Sequence, residues 1–112
     1  MNGELFASGR IVLITVPVDM RNGVRGLCAL LAAWRINPCA EDVWCVFLSR
    51  TRRIAKILHC DDKGILLIDR RLTAGCFRRL TGLSAGKEQR PLTRQQLINY
   101  MNGLNMDQGA SL

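Results

Sequence analysis

A chain of 112 residues is long enough to enclose one hydrophobic core and too short to enclose two, so a single domain is expected. Its 48% apolar and 22% charged residues exclude a disordered polyelectrolyte, and no apolar run reaches the length of a membrane span. The net charge of +7 points to anionic partners, or else serves solubility alone.

The N-terminal MNGELFASGR carries an acid early and no apolar stretch behind a basic start, so no signal peptide is expected and a cytoplasmic location is the default. The domain is expected to span the whole chain, ordered from about residue 10 to about residue 104, with flexible ends. Five cysteines, Cys28, Cys39, Cys45, Cys60 and Cys76, form an odd set without a CxxC pair. That favours reduced, buried thiols over a disulfide framework or a zinc ribbon.

Arg10 to Val16 (RIVLITV) is rich in β-branched residues and framed by Gly9 and Pro17, which predicts a mostly buried strand. Asp19 stands where a helix cap would, ahead of Val24, Leu27, Cys28, Leu31 and Trp34, a single apolar stripe at helical spacing. Gly23 and Gly26 in the first turns each cost about 1 kcal/mol relative to Ala. Two compensations are open: close packing of the helix on a sheet, or room for a phosphate beside Arg21 and Arg25. Asn37-Pro38 ends the helix, and Asp42 to Leu48 (DVWCVFL) predicts a central strand with Trp44 in the core.

From Arg52 onward apolar residues fall on both sides of a further strand, with charge concentrated at its start. Asp61-Asp62-Lys63-Gly64 predicts a hairpin turn returning into Ile65 to Leu72, and Thr73-Ala74-Gly75 a second turn toward another strand at Cys76 and Phe77. Thr81 to Arg90 reads as a flexible connection. Thr93 and Gln96 then form a capping box and Leu92 and Leu97 a staple, opening a helix that bears Leu97, Ile98, Met101 and Leu104 and stops at Gly103. The sum is an α+β domain: a mainly antiparallel sheet of four or five strands, the first helix packed on a face and the C-terminal helix closing an edge.

The charge is uneven. Arg50 to Arg79 holds nine basic residues and three acids, Asp61, Asp62 and Asp69, a balance of +6 against +7 for the whole chain. Arg outnumbers Lys there by seven to two, and its planar fork matches phosphate. Arg50, Arg52, Arg53 and Lys56 on one strand, with Arg70, Arg71, Arg78 and Arg79 on later strands, are therefore the candidate nucleic-acid contacts, with Arg21 and Arg25 as further members.

Other chemistries find less support. His59, Cys60, Asp61 and Asp62 bunch possible metal ligands, but neighbours on a strand point to opposite faces, so no metal is expected. Asp19, Asp61 and Asp69 would be the carboxylates for two-metal phosphoryl transfer, yet they read as a cap, a turn residue and an arginine partner. No Gly-rich phosphate loop occurs, and one tyrosine with two tryptophans gives no stacking surface for single strands. Duplex DNA touched through its backbone is the expected partner, with no catalytic residue and no cofactor.

One group of segments carries a family resemblance: Val18-Asp19-Met20-Arg21-Asn22-Gly23, Gly26-Leu27, Ala29-Leu30, Val46-Phe47, Lys56 with Leu58, Asp61, Gly64, Arg70-Arg71-Leu72, Gly75, Phe77, Leu92-Thr93, Gln96-Leu97 and Gly103-Leu104. In this order they resemble the TnpB accessory proteins, the second-open-reading-frame products of the insertion-sequence-66 family of bacterial transposable elements. His59-Cys60 and Asp62 depart from that pattern, as do Thr73 and Arg79-Leu80. The resemblance implies an accessory role in transposition beside a separate transposase, and no enzyme activity in this chain. Direct DNA contact is an inference from charge; the rival is an interaction module whose arginines meet the transposase alone.

Overall fold

The computed structural model describes residues 6, 8–78 and 88–103. Its elements follow in the order β1 (Arg10–Ile14), α1 (Val24–Ala33), β2 (Val43–Leu48), β3 (Ile54–Asp61), β4 (Gly64–Arg71), β5 (Gln89–Leu92) and α2 (Arg94–Met101). All five strands form one sheet in the order β4-β3-β2-β1-β5. The fold is α+β and mainly antiparallel, with one parallel pair, β1 beside β2, joined through α1.

Strands β1 and β2 read as unbroken apolar runs because both of their faces are covered. On one face Ile11, Leu13, Trp44, Val46 and Ile57 pack with Leu97, Tyr100 and Met101 of α2. On the other, Val12, Ile14, Cys45, Phe47 and Leu58 pack with Leu27 and Leu31 of α1. The C-terminal helix thus covers a face where an edge was expected. Fully burying Leu97 and Met101 is worth roughly 1.5–3 kcal/mol each, and a strand edge, which presents mainly backbone, offers no such apolar area.

Helix α1 crosses the sheet from one side toward the other. The segment entering it is bonded to β3, where Lys56 Nζ donates to the carbonyls of Met20 (2.8 Å) and Asn22 (3.2 Å). At its exit, Trp34 Nε1 donates to Glu88 (2.7 Å), just ahead of β5.

Several local expectations change. The helix cap is Gly23, with no side-chain hydrogen bond, and not Asp19. Asp19 is instead engaged by Arg21, through both its backbone N–H (2.9 Å) and its guanidinium (2.6 Å), a partner close enough in sequence to outcompete the helix end. Neither helix glycine is there for packing on the sheet: a Cβ at Gly23 would meet open space, and one at Gly26 would collide with the Asn22 side chain folded over the first turn.

No strand forms at Cys76 and Phe77; Phe77 buries its ring in the α2-side core and donates its N–H to the carbonyl of Arg52 (2.6 Å). The fifth strand is β5, where Pro91 lies opposite Val12 on a sheet edge, a position that tolerates a residue without an N–H. The hairpin at Asp61–Gly64 forms, with Asp61 Oδ1 accepting from the N–H groups of Lys63 and Gly64. So does the capping box of Thr93 and Gln96. The tail beyond Gly103, most of the Thr81–Arg90 connection and nearly all of the first seven residues lie outside the described residues.

Candidate nucleic-acid interface

Strand polarity gathers most of the candidate residues at one end of the sheet, where β1, β2 and β4 finish and β3 begins. The tight turn from Ser49 to Ile54 closes with Ser49 N–H donating to Ile54 O (3.0 Å) and Arg52 N–H to Ser49 O (2.9 Å). Arg52 holds a left-handed backbone there, with φ of 58°. The same turn anchors the chain beyond β4: Leu72 N–H donates to Arg53 O (2.8 Å). Arg50, Arg53, Arg71 and Arg78 are exposed on these mutually bonded segments. The Arg78 carbonyl is fixed by the Tyr100 hydroxyl at 2.6 Å, leaving its side chain in solvent.

The entry to α1 joins this end through Val18 N–H, which donates to Leu48 O (2.9 Å), and through Lys56. Arg25 is exposed on the first turn of the helix, and Arg21 is exposed but paired with Asp19. Register divides β4: Arg70 lies opposite Ala55 on the α2 side, Arg71 opposite Ile54 on the α1 side. The basic groups therefore wrap around the sheet end and do not form a flat stripe on a sheet face. No carboxylate of the described residues lies within 4.0 Å of Arg25, Arg50, Arg53, Arg70 or Arg78, whereas Arg71 is 3.5 Å from Asp69.

Two of the candidates are engaged internally. Lys56 is only 8% exposed and spends its ammonium on the two backbone carbonyls before α1. Arg52 donates from Nε to Phe77 O (3.0 Å) and reaches Cys76 Sγ (3.8 Å), clamping the turn to the segment after β4. Arg50, Arg52 and Arg53 precede β3 in the turn and do not share a strand with Lys56. Arg79 lies outside the described residues.

The opposite end of the sheet mixes charges, with Glu41, Asp42, Asp61 and Asp62 around the starts of β1 and β2 and the β3–β4 turn, beside Arg10, Arg35 and Lys63. Glu41 takes a salt bridge from Arg10 at 2.7 Å, which lowers its pKa. His59 Nε2 lies 2.8 Å from Asp42, and the His59 ring stacks on Trp44 with centroids 3.8 Å apart. The Asp42 pKa is lowered, first by that histidine bond and then by Ser8. Asp61 thus sits at the far end from Asp19 and Asp69, and these carboxylates do not converge. Among the described residues no group of three or more His, Cys, Asp or Glu side chains is arranged to hold a metal ion. The thiols are less buried than expected: only Cys45 is buried, its pKa pushed up to about 12 by desolvation, while Cys39 and Cys76 are exposed.

A family model of the IS66 Orf2-like proteins matches residues 9–111. The chain belongs to the IS66 Orf2-like family. The family points to a transposition-associated accessory protein. No curated protein and no solved structure matches the chain. Among the described residues, no helix of this IS66 Orf2-like protein is long and apolar enough to cross a membrane.

Proposed function

We propose that this IS66 Orf2-like protein is a non-catalytic accessory of transposition that grips the duplex DNA backbone, free or within the transposase complex, through Arg25, Arg50, Arg53, Arg70, Arg71 and Arg78. The observation that carries this reading is the gathering of five exposed arginines, Arg25, Arg50, Arg53, Arg71 and Arg78, and the half-buried Arg70 at one end of the sheet, all but Arg71 without an acid of the described residues in reach. A guanidinium fork held on ordered backbone binds a phosphate with little further ordering.

Binding in which about five phosphates are neutralised gives a slope of log affinity on log salt near −4 to −5. A gel-shift titration with duplex DNA tests this: the wild type shows that slope, and Arg50→Ala with Arg53→Ala shallows it by about 2. A slope near zero removes the reading. A second reading, contact with the transposase alone, draws on β4, an edge strand that exposes Ile65 (45%) and Leu66 (41%). Co-purification with the transposase after nuclease treatment, together with no affinity for free duplex, would select it.

A further inference from the structure

Away from the arginine end, the turn that leads from α1 into β2 brings Cys39 against the last residues of β3. Cys60 Sγ donates a hydrogen bond to Cys39 Sγ at 3.5 Å, although the two residues are 21 positions apart. Cys39 is exposed and Cys60 half-buried, both on the wall of an open cleft of about 500 Å³ bounded by Ser8, Glu41 and Asp42. Cys39 is carried on a turn whose Asn37 side chain accepts its N–H (3.0 Å), outside any strand or helix.

We propose that Cys39 and Cys60 form a dithiol site that reacts with a low-molecular-weight disulfide, of which oxidised glutathione is the type, to give an intramolecular disulfide. Cys39, exposed and accepting the hydrogen bond, attacks first: its thiolate forms a bond to one glutathione sulfur, the glutathione S–S bond breaks, and the leaving thiolate takes up the proton that Cys39 lost. Cys60 then attacks the Cys39 sulfur of the mixed disulfide and a second glutathione leaves with the Cys60 proton. Two protein thiols are oxidised and one small disulfide is reduced to two thiols. The Cys60 pKa is raised, first by its bond to Cys39 and then by burial, which keeps Cys60 protonated until the second step. Sulfur atoms in a disulfide lie about 2.05 Å apart, so closure needs a shift of roughly 1.5 Å, which the Cys39 turn is placed to make. Of the three remaining cysteines, Cys45 is buried, Cys76 belongs to the far end of the sheet, and Cys28, half-buried on a cavity it shares with Cys39, makes no hydrogen bond to that thiol, which is the contact Cys60 has.

The test treats the folded full-length protein with oxidised glutathione, blocks free thiols under denaturing conditions and maps the peptides by mass spectrometry. The wild type should lose two of its five thiols to a single Cys39–Cys60 bond and melt roughly 10 °C higher, because the crosslink closes a loop of some twenty residues in the unfolded chain. Cys60→Ser should stop at a mixed disulfide between Cys39 and glutathione, and Cys39→Ser should leave Cys60 reduced. Recovery of Cys39 and Cys60 as separately blocked thiols, a bond from Cys39 to Cys28, or crosslinking that persists in the Cys39→Ser variant would each overturn the proposal.

Discussion

Replacing Lys56 by Ala separates a residue that holds the fold from one that holds a phosphate. Its ammonium makes two hydrogen bonds, to Met20 O at 2.8 Å and Asn22 O at 3.2 Å, and each bond from a charged donor is worth about 1.5–3 kcal/mol. Truncation leaves both carbonyls without this partner but also removes a charge from a site that is only 8% exposed, and that relief offsets part of the loss. The expected net destabilisation is about 2–4 kcal/mol, which for a chain of this size lowers the melting temperature by roughly 8–16 °C. Urea and thermal unfolding measure the loss, and a salt titration on duplex DNA below the melting range shows whether the binding slope has moved. Lys56→Ala should leave that slope unchanged, whereas Arg50→Ala should leave stability within about 0.5 kcal/mol and shallow the slope by about 1. A Lys56→Ala protein that melts like the wild type and loses a full unit of slope would refute the reasoning.

Arg52→Ala should cost about 1.5–3 kcal/mol in urea unfolding, since it removes the charged bond to Phe77 O, while Arg52→Gly, which also relieves the left-handed backbone at φ of 58°, should cost less. Gly9→Ala should cost about 2 kcal/mol or more, because φ there is +86° and the added Cβ would strike the Asp42 carboxylate that binds His59; displaced His59 and Trp44 signals in an NMR spectrum would locate the damage. The Asp19 carboxyl is held at about 2, against an ordinary 3.8, chiefly by the Arg21 side chain. A depressed folded-state pKa stabilises fully above 3.8 and loses that stabilisation as pH falls toward about 2, and Glu41 and Asp42, also lowered, act in the same direction. The urea midpoint of the wild type should therefore drop between about pH 5 and pH 2, and Arg21→Ala should show a shallower drop; equal drops would discount the pair.

What the sequence revealed was chiefly local chemistry. The Thr93 and Gln96 capping box, the Asp61 hairpin and the apolar runs of β1 and β2 each depend on residues a few positions apart, and they form where the pattern puts them. What stayed hidden depends on distant partners. Strand β5 is four residues long and contains Pro91, so nothing in its own composition marks it; pairing with β1 makes it a strand. The pattern at Cys76 and Phe77 suggests a further strand, but the Phe77 ring is drawn into the α2-side core and its N–H to the turn at Arg52. The basic cluster was legible because a turn and a strand end carry it, and hairpin geometry brings those together. The internal engagement of Lys56 and Arg52 was not, because carbonyl acceptors more than twenty residues away leave no mark on the pattern.

The diagonal course of α1 has a mechanical consequence. Tied to β3 where the chain enters it and to the start of β5 where the chain leaves, the helix works as a strut across the middle of the sheet and resists sliding of one strand past the next. Strand β4 lies beyond the reach of that strut and is hydrogen-bonded to β3 alone. The placement of Arg70 and Arg71 therefore depends on the eight-residue pairing of β4 with β3 and not on the helix.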